Sequence, residues 1–299
     1  MPTDAIRFYN RRTQCVETEK VYGEGFLRWI YGSISGRIAL HAVAKRAFFS
    51  RWYGWRMDRP ASRAKIAPFI REFGVDVGEF ADPPESFRTF NEFFYRKLKP
   101  GARPIASEAK TAVFPADGRH LGFADVSRME GIFVKGEVFS LGELLRDTEL
   151  AVRFQRGSMI LSRLCPVDYH RYHFPVGGLA TEPQLINGWL YSVSPIALRR
   201  NIRIFTENKR ALTRIESPEF GTVLMLEIGA TNVGSFAYTF TPNTRVAKGA
   251  EKGYFRFGGS STITLFEPGR IRLSADLLAQ TAERRELYAR MGEPLGHVA

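Results

Sequence analysis

Residues 254–266 read YFRFGGSSTITLF, a β-type pattern that is interrupted at its centre. The aromatic and β-branched residues on both sides predict strands, because these residue types are enriched in sheets. The central residues Gly258, Gly259, Ser260 and Ser261 do not suit a strand interior, where glycine marks a kink or a close backbone approach. The stretch therefore predicts two strands that meet at a kink, and a serine at such a kink is a candidate for chemistry.

Short apolar runs of the same kind recur from Val113 onward, separated by Gly, Pro, Asn and Asp. Such runs predict strands, and they cover residues 159–164, 223–229, 235–240 and 261–266. Residues 140–147 predict a helix within this β-rich part, and residues 273–292 predict a closing amphipathic helix.

Upstream of Val113 the pattern is helical. Residues 60–75 and 84–105 both begin with proline, carry apolar residues at three- and four-residue spacings, and end at glycine or proline. The predicted fold class is α+β. A helical N-terminal region, residues 1–110, precedes a β-rich domain of antiparallel sheet or sandwich type, residues 111–299, which ends with a C-terminal helix.

Composition limits the class of protein. A chain of 299 residues with 44% hydrophobic residues can bury a sizeable core. Its two cysteines, Cys15 and Cys165, are too few for a disulfide framework, and no signal-peptide pattern opens the chain, so we expect a cytoplasmic protein. The net charge of +12 favours an anionic partner, which includes nucleic acid, acidic lipid headgroups and anionic substrates.

Residues 21–59 combine aromatic and basic residues. Three of the four tryptophans, Trp29, Trp52 and Trp55, lie there among arginines and lysines, which interrupt every apolar run. No run reaches the roughly 18–20 apolar residues that a spanning helix needs. The near-helical spacing of the apolar residues suits a helix that lies in a headgroup interface. A helical hairpin that docks on the main domain is the alternative interpretation.

Two further stretches contain candidate functional residues. Asp117 lies in PADG, where Asp-Gly is also an ordinary turn dipeptide. His170 and His173 lie three residues apart in DYHRYHFPVGG, just after Asp168. These residues could ligate a metal, although the spacing falls short of known zinc motifs. One histidine could instead be a general base, or both could be packing residues.

A serine completes a possible set of serine, histidine and aspartate. The GxSxG elbow that leads into a helix in many hydrolases is absent from the sequence around Ser260. A serine that follows glycine in a strained turn can instead attack its own preceding carbonyl, because glycine leaves that carbonyl open. The target of the nucleophile would then be the chain itself.

The chain resembles the phosphatidylserine decarboxylases, which are self-cleaving pyruvoyl enzymes. The resemblance covers most of the chain and rests on the order and spacing of FNEFFYRKLKPGARPI, PADG, VKGEVFSLGELL, DYHRYHFPVGG, YSVSP, IGATNVGS and KGAEKGYFRFGGSST. The segments VYGEGFLRWIYGSISGR and YGWRMD resemble the branch of the family with the GGS cleavage motif. Ser261 is a departure, since threonine commonly follows the reactive serine in this family.

The resemblance implies roles for individual residues. Asp117, His173 and Ser260 match the charge-relay set, in which the histidine removes the proton of the Ser260 hydroxyl. Ser260 would attack the Gly259 carbonyl, and elimination would then yield a β chain, residues 1–259, and an α chain, residues 260–299. What remains of Ser260 would be a covalent pyruvoyl group, and no metal is implied. His170 is implied to assist near the substrate.

The implied reaction is the decarboxylation of phosphatidylserine to phosphatidylethanolamine and carbon dioxide, through a Schiff base between the pyruvoyl group and the substrate amine. The implied partners are this lipid and an anionic membrane surface, but no nucleic acid. The two chains would remain together and associate further into a homo-oligomer, peripheral to the cytoplasmic face of the cell membrane. The alternatives are a membrane-associated Ser-His-Asp hydrolase and a non-catalytic lipid-binding β-domain.

Overall fold

The computed structural model describes residues 5–129, 140–230, 236–258 and 260–299. The motifs at 134–145 and 228–235 lie partly outside these ranges, and Gly259 of the predicted cleavage site lies outside them. Helices and strands both contribute to the described fold, and its class is α+β, as the sequence predicts.

Helices are concentrated in the N-terminal part of the chain. The described residues contain α1 (Glu24–Gly32), α2 (Ile34–Ala39), α3 (Ala47–Met57), α4 (Ile66–Phe73), α5 (Phe90–Phe94), α6 (Leu141–Leu145), α7 (Thr148–Phe154), α8 (Pro195–Leu198), α9 (Ile204–Glu207) and α10 (Ala275–Ala282). A π-helical turn, Leu40–Ala44, follows α2, and a 3₁₀ turn, Pro60–Lys65, precedes α4. In the part of the chain that is described, none of these helices has the length and apolar character required to cross a bilayer.

Strands make up most of the remainder. They are β1 (Arg7–Asn10), β2 (Cys15–Thr18), β3 (Thr111–Val113), β4 (Gly118–Phe123), β5 (Ser158–Leu164), β6 (Arg171–His173), β7 (Gly178–Ala180), β8 (Gln184–Ile186), β9 (Arg210–Ser217), β10 (Gly221–Ile228), β11 (Phe236–Tyr238), β12 (Thr244–Val246), β13 (Glu251–Phe255), β14 (Ser260–Phe266), β15 (Ile271–Leu273), β16 (Glu286–Ala289) and β17 (Pro294–Val298).

One large sheet organises the molecule. Its order is β12-β7-β9-β10-β14-β5-β4-β16-β1-β2, and β8 also pairs with β9. All of its pairs are antiparallel except β1 with β16, which is parallel. Two three-stranded sheets, β11-β13-β6 and β15-β17-β3, complete the β structure. The predicted strand 261–266 is confirmed as β14, which lies inside the large sheet between β10 and β5.

The large sheet is buried on both faces. Along β14, Ile263 and Leu265 join one apolar cluster, whereas Phe266 joins the cluster on the opposite face. The alternation follows from the two-residue period of a strand. A third cluster lies among the N-terminal helices, where Phe90 and Phe94 of α5 pack against Phe257, three residues before Ser260. The helical N-terminal part therefore packs directly against the predicted cleavage segment.

The structure differs from the predictions for two helices, and it contains one hairpin inside the region predicted as helical. Residues 7–18 form the β1-β2 hairpin, which the sequence pattern did not indicate. Only Phe90–Phe94 is α-helical within the helix predicted over 84–105. The closing helix predicted over 273–292 is restricted to Ala275–Ala282, and Glu286–Ala289 pairs with β4 and β1 instead. The predicted helices 60–75 and 140–147 are confirmed in their main parts by α4 and α6.

Candidate functional site

Ser260 begins the central strand β14, and its side chain is fully buried. Ser260 is opposite Leu164 of β5, while Ser261 is opposite Ile228 of β10. Gly258 has a φ of 144°, a conformation that L side chains rarely adopt. The predicted kink is therefore present at Gly258, and the strand that follows it fixes the backbone of Ser260.

His170 is the histidine in contact with Ser260. Its Nδ1 lies 3.4 Å from Ser260 Oγ, and its Nε2 lies 2.8 Å from the carbonyl oxygen of Cys165. Since a carbonyl can only accept a hydrogen bond, Nε2 carries the proton and Nδ1 presents a lone pair to the serine. The ring also stacks on Phe94 at a centroid distance of 3.8 Å. His170 is thus oriented as a proton acceptor for the Ser260 hydroxyl.

Burial keeps His170 neutral. It lowers the pKa of His170 to about 3, and the positive charge of Arg96 acts in the same direction. A neutral imidazole can accept a proton, whereas an imidazolium cannot. The side chain is therefore in its basic form across the physiological pH range.

A tight turn between Cys165 and Asp168 fixes the carbonyl group that His170 contacts. The Cys165 carbonyl accepts the His170 proton, and it also accepts a 2.9 Å hydrogen bond from the Asp168 amide. The Asp168 carboxylate accepts hydrogen bonds from the Cys165 amide at 2.7 Å and from Arg119 Nη1 at 2.5 and 2.7 Å. A buried ion pair therefore holds the turn that selects the His170 tautomer.

His173 has the opposite tautomer. On β6, its Nδ1 lies 3.0 Å from the Gly249 carbonyl oxygen, so Nδ1 donates and Nε2 carries the lone pair. Nε2 is buried and has no hydrogen-bond partner among the described residues. Burial lowers the pKa of His173, while the Gly249 contact and the charges of Glu251 and Asp117 oppose the lowering. The imidazole therefore has an accepting nitrogen that no described group uses.

Asp117 is anchored by an arginine. Its carboxylate accepts hydrogen bonds from Arg103 Nε at 2.9 Å and Nη2 at 2.6 Å, and from the Met291 amide at 2.9 Å. No hydrogen bond between described residues joins Asp117 to His173, or His173 to Ser260. Of the residues selected from the sequence, the structure brings Ser260 and His170 into contact. Asp117 and His173 are held by other partners.

Two arginines of the site were not selected from the sequence. Arg103 lies within FNEFFYRKLKPGARPI and Arg119 directly follows PADG, but nothing in their spacing shows which carboxylate each one pairs with. Asp168 was selected only as a possible metal ligand or as the partner of a histidine. The sequence could have indicated the role of Asp168 through its position, because an aspartate side chain three residues after Cys165 can accept a hydrogen bond that closes a turn.

An apolar cavity of about 400 Å³ lies beside the site. Gly258, Cys165 and Pro166 line it on the side of Ser260, and residues of α1 line it too, including Phe26 and Ile30. The lining is mainly hydrophobic, with polar groups from Glu19, Lys20, Arg163, Ser192 and Ser194. Such a cavity fits a ligand with an apolar body and a small polar part.

Exposed apolar side chains cluster near this cavity. Eight of the fourteen large apolar side chains exposed in the described residues come from the segment 26–55: Phe26, Trp29, Ile34, Ile38, Val43, Phe48, Trp52 and Trp55. Phe26 is 52% exposed and also lines the cavity. Exposed apolar side chains concentrated in this way mark an interaction surface.

Comparison with known proteins identifies the family of this chain. The family model described as phosphatidylserine decarboxylase matches residues 90–297. A phosphatidylserine decarboxylase proenzyme of Fusobacterium nucleatum is 43% identical over 297 residues, which is 99% of both chains. The proteins of that name from Chlamydia muridarum and Desulfitobacterium hafniense are 45% and 42% identical, and each alignment covers at least 97% of both chains. This chain belongs to the phosphatidylserine decarboxylase family, and it is a carbon–carbon lyase.

Proposed function

We propose that the protein converts phosphatidylserine to phosphatidylethanolamine and carbon dioxide, after cutting its own chain between Gly259 and Ser260. The contact of Ser260 Oγ with the accepting nitrogen of a neutral His170, beside an apolar cavity, carries this proposal. The relatives described above are named proenzymes, which fits a chain that must be processed.

Self-cleavage requires a base for the Ser260 hydroxyl. The base takes the proton, Oγ bonds to the Gly259 carbonyl carbon, and the bond to the Ser260 nitrogen breaks to give an ester and a free amine. Loss of the Ser260 α-proton then expels the carboxylate of Gly259. The dehydroalanine that remains takes up water and releases ammonia to leave a pyruvoyl group. The chain would become a β chain of residues 1–259 and an α chain of residues 260–299.

We assign the relay in this step to Asp117, His173 and Ser260. The accepting Nε2 of His173 is not used by any described residue, and the negative charge of Asp117 favours protonation of the imidazole. Arg103 forms a buried ion pair with Asp117 and fixes the position of its carboxylate. Among the described residues His170 is the histidine that contacts the Ser260 hydroxyl, so the assignment of the base to His173 rests on the family resemblance, and we assign His170 to the second reaction.

The residues around Ser260 fit a pyruvoyl group in place of the serine. The backbone at this position is held by β5, the side chain is sealed from water, and the apolar cavity is lined by the adjacent Gly258. When formed, the group would supply a carbonyl that accepts electrons as carbon dioxide leaves. His170 Nδ1, next to the side chain of residue 260, can hold and return the proton that the product requires.

The surroundings of the cavity suit a lipid substrate. Phe26 links the cavity lining to the exposed apolar side chains of residues 26–55, and the net charge of +12 favours an anionic surface. We propose a peripheral position on the cytoplasmic face of the cell membrane, through a membrane-associating segment of about residues 21–59. Residues 1–110 form the region that reaches the membrane and residues 111–299 form the catalytic domain. The two-chain unit would further form a homo-oligomer.

Intact-mass analysis combined with a decarboxylation assay tests the proposal. The purified protein should contain two polypeptides, 1–259 and 260–299, the second with an N-terminal pyruvoyl group, and it should release carbon dioxide from phosphatidylserine. A single full-length chain that is active on a simple ester would indicate a serine hydrolase instead. A full-length chain that binds lipid without turnover would indicate a lipid-binding domain.

A further inference from the structure

We infer that a second pocket, next to the apolar cavity, binds the phosphate of an anionic phospholipid that is not the substrate. This inference rests on the proposed membrane position of the protein. The pocket has a volume of about 340 Å³, and Arg37, His41 and Arg200 provide its basic side chains. We call it the basic pocket. Nothing in the proposed reaction uses these three residues.

The positive charge of the basic pocket is not neutralised. Its lining contains no acidic residue, and neither Arg37 nor Arg200 forms an ion pair with any described carboxylate within 4.0 Å. Arg37 and Arg200 are both exposed, so their guanidinium groups are accessible to a ligand. The planar guanidinium group matches the oxygen geometry of a phosphate and can donate two hydrogen bonds to it. An anion with phosphate geometry is therefore the ligand that this lining favours.

Packed elements position the basic side chains. α2 lies so close to α1 that a Cβ at Gly36 would be 2.0 Å from the Trp29 carbonyl oxygen, so this contact requires glycine. Arg200 lies against α1, because a Cβ at Gly32 would be 4.0 Å from its Nη2. The His41 ring meets Tyr191 edge-on at a centroid distance of 6.3 Å. The pocket is thus formed by α1, α2, the π-helical turn and the segment after α8.

Exposed isoleucines at the pocket indicate a lipid rather than a free anion. Ile34 and Ile38 are 72% and 67% exposed, and they line an open groove together with Arg37 and His41. A free phosphate would gain nothing from these apolar side chains. A phospholipid would bury its acyl chains against them while its phosphate contacts the arginines.

The basic pocket shares a wall with the apolar cavity. Tyr31 and Leu40 line both spaces. The Tyr31 hydroxyl accepts a 2.9 Å hydrogen bond from the amide of Ser192, which also lines the apolar cavity. A lipid in the basic pocket would therefore stabilise the wall that borders the substrate, and we expect it to increase the rate of decarboxylation.

The test compares two double variants of the purified full-length protein. Arg37→Gln with Arg200→Gln removes the basic pocket's guanidinium groups. Arg245→Gln with Arg272→Gln removes the same charge from exposed positions outside residues 21–59 that do not line the pocket. Binding of phosphatidylglycerol is measured by native mass spectrometry from neutral micelles. Decarboxylation is measured in phosphatidylcholine vesicles with a fixed fraction of substrate, with and without phosphatidylglycerol.

We expect the pocket variant to bind phosphatidylglycerol at least about tenfold more weakly than the wild type, since two charge-assisted contacts are lost. Its rate should no longer respond to phosphatidylglycerol, while the control variant keeps most of both properties. Equal losses in the two variants would overturn the inference, because they would indicate general surface attraction. Displacement of the lipid by inorganic phosphate at the same concentration would also overturn it.

Binding of phosphatidylglycerol and release of carbon dioxide test this inference and the proposed function independently. Site-dependent binding of phosphatidylglycerol by a protein that releases no carbon dioxide would support the basic pocket and refute the decarboxylation. Decarboxylation with an unchanged response to phosphatidylglycerol in the pocket variant would support the function and refute the basic pocket.

Discussion

Ser260 Oγ lies 3.4 Å from His170 Nδ1, and both side chains are fully buried. The contact joins the first residue of a central strand to a histidine whose other nitrogen is bound to a main-chain carbonyl. The serine has an oriented proton acceptor at its side and is excluded from bulk water. This environment suits a nucleophile whose target lies within the protein.

Ser260→Ala should prevent self-cleavage completely. The variant lacks the oxygen that attacks Gly259, so denaturing gels and intact mass should show one chain of 299 residues without decarboxylase activity. Ser261→Ala is the matched control, because the Ser261 hydroxyl points to the opposite face of β14 and has no described hydrogen-bond partner. The control should be cut normally. Cutting of Ser260→Ala would refute the assignment of the nucleophile.

Alanine substitution of His173 should block self-cleavage, whereas alanine substitution of His170 should slow decarboxylation. His173→Ala should remain a single chain, because the proposed base for the hydroxyl is gone. His170→Ala should lower decarboxylation per cut molecule by about 10²-fold or more, the usual contribution of a positioned acid or base. Time courses of intact mass and of carbon dioxide release measure the two effects. Cutting of His173→Ala at the wild-type rate would transfer the role of base to His170.

Acid should destabilise the folded chain through its buried histidines. Burial lowers the pKa of His120 and of His170 to about 3, from an ordinary value of 6.5. Between these values the unfolded chain binds more protons than the folded chain, so stability falls as the pH falls. The loss from about pH 7 to about pH 5 should be about 2 kcal/mol for each of the two histidines.

Urea unfolding of the uncut Ser260→Ala chain measures this loss. His120→Asn should remove about 2 kcal/mol of the pH-dependent loss, since it removes one of the buried histidines whose pKa is lowered. His120 lies between Ser162 and the Ala289 carbonyl, away from the Ser260 contact. Equal unfolding free energies at both pH values would contradict the expectation.

Asp168 should act by positioning His170. Asp168→Ala removes the partner of Arg119 and the acceptor for the Cys165 amide, and it should lower the free energy of unfolding by about 3–5 kcal/mol, as breaking a buried ion pair does. Asp168→Asn keeps an acceptor for the amide, so it should recover part of the decarboxylation rate. A positioning role predicts a lower kcat in Asp168→Asn with little change in KM. Wild-type kcat in Asp168→Ala would exclude that role.

The two products of cleavage should remain associated without denaturant. The fragment 260–299 contributes β14, which lies between β10 and β5, and β16, which lies between β4 and β1. Size-exclusion chromatography should therefore elute both polypeptides together, and only denaturing conditions should separate them. Loss of the small fragment in native buffer would contradict this arrangement.

The sequence predicted the α+β class because apolar periodicity reports burial directly. It failed where distant parts of the chain determine local structure. Glu286–Ala289 has a helical pattern but pairs with strands on both sides, so tertiary contacts override its propensity. Residues 7–18 are recognisable as strands only once β16 supplies a partner. The helix predicted over 84–105 is confined to Phe90–Phe94, and beyond it Leu98 pairs with Phe80 in an isolated antiparallel bridge.

In the candidate site, too, local sequence signals were predictive, whereas contacts between distant segments were not. Ser260 could be found because two glycines interrupt a β-type pattern, which is a local signal. The pairing of Asp117 with Arg103, and the turn that connects Asp168 to His170, depend on where separate segments meet. The sequence contained the chemical groups, but the hydrogen bonds that decide which nitrogen of each histidine is free arise only in the fold.

The position of β14 inside the large sheet also affects whether a cleaved enzyme can recover its activity after unfolding. Before cleavage, every strand belongs to one molecule, and folding is unimolecular. After the proposed cut, a strand from the middle of the sheet belongs to a separate polypeptide, so recovery from unfolding would require two molecules to find each other. The peptide bond that generated the pyruvoyl group would no longer exist. Each chain could therefore mature only once, and an unfolded mature enzyme would have to be replaced by new synthesis.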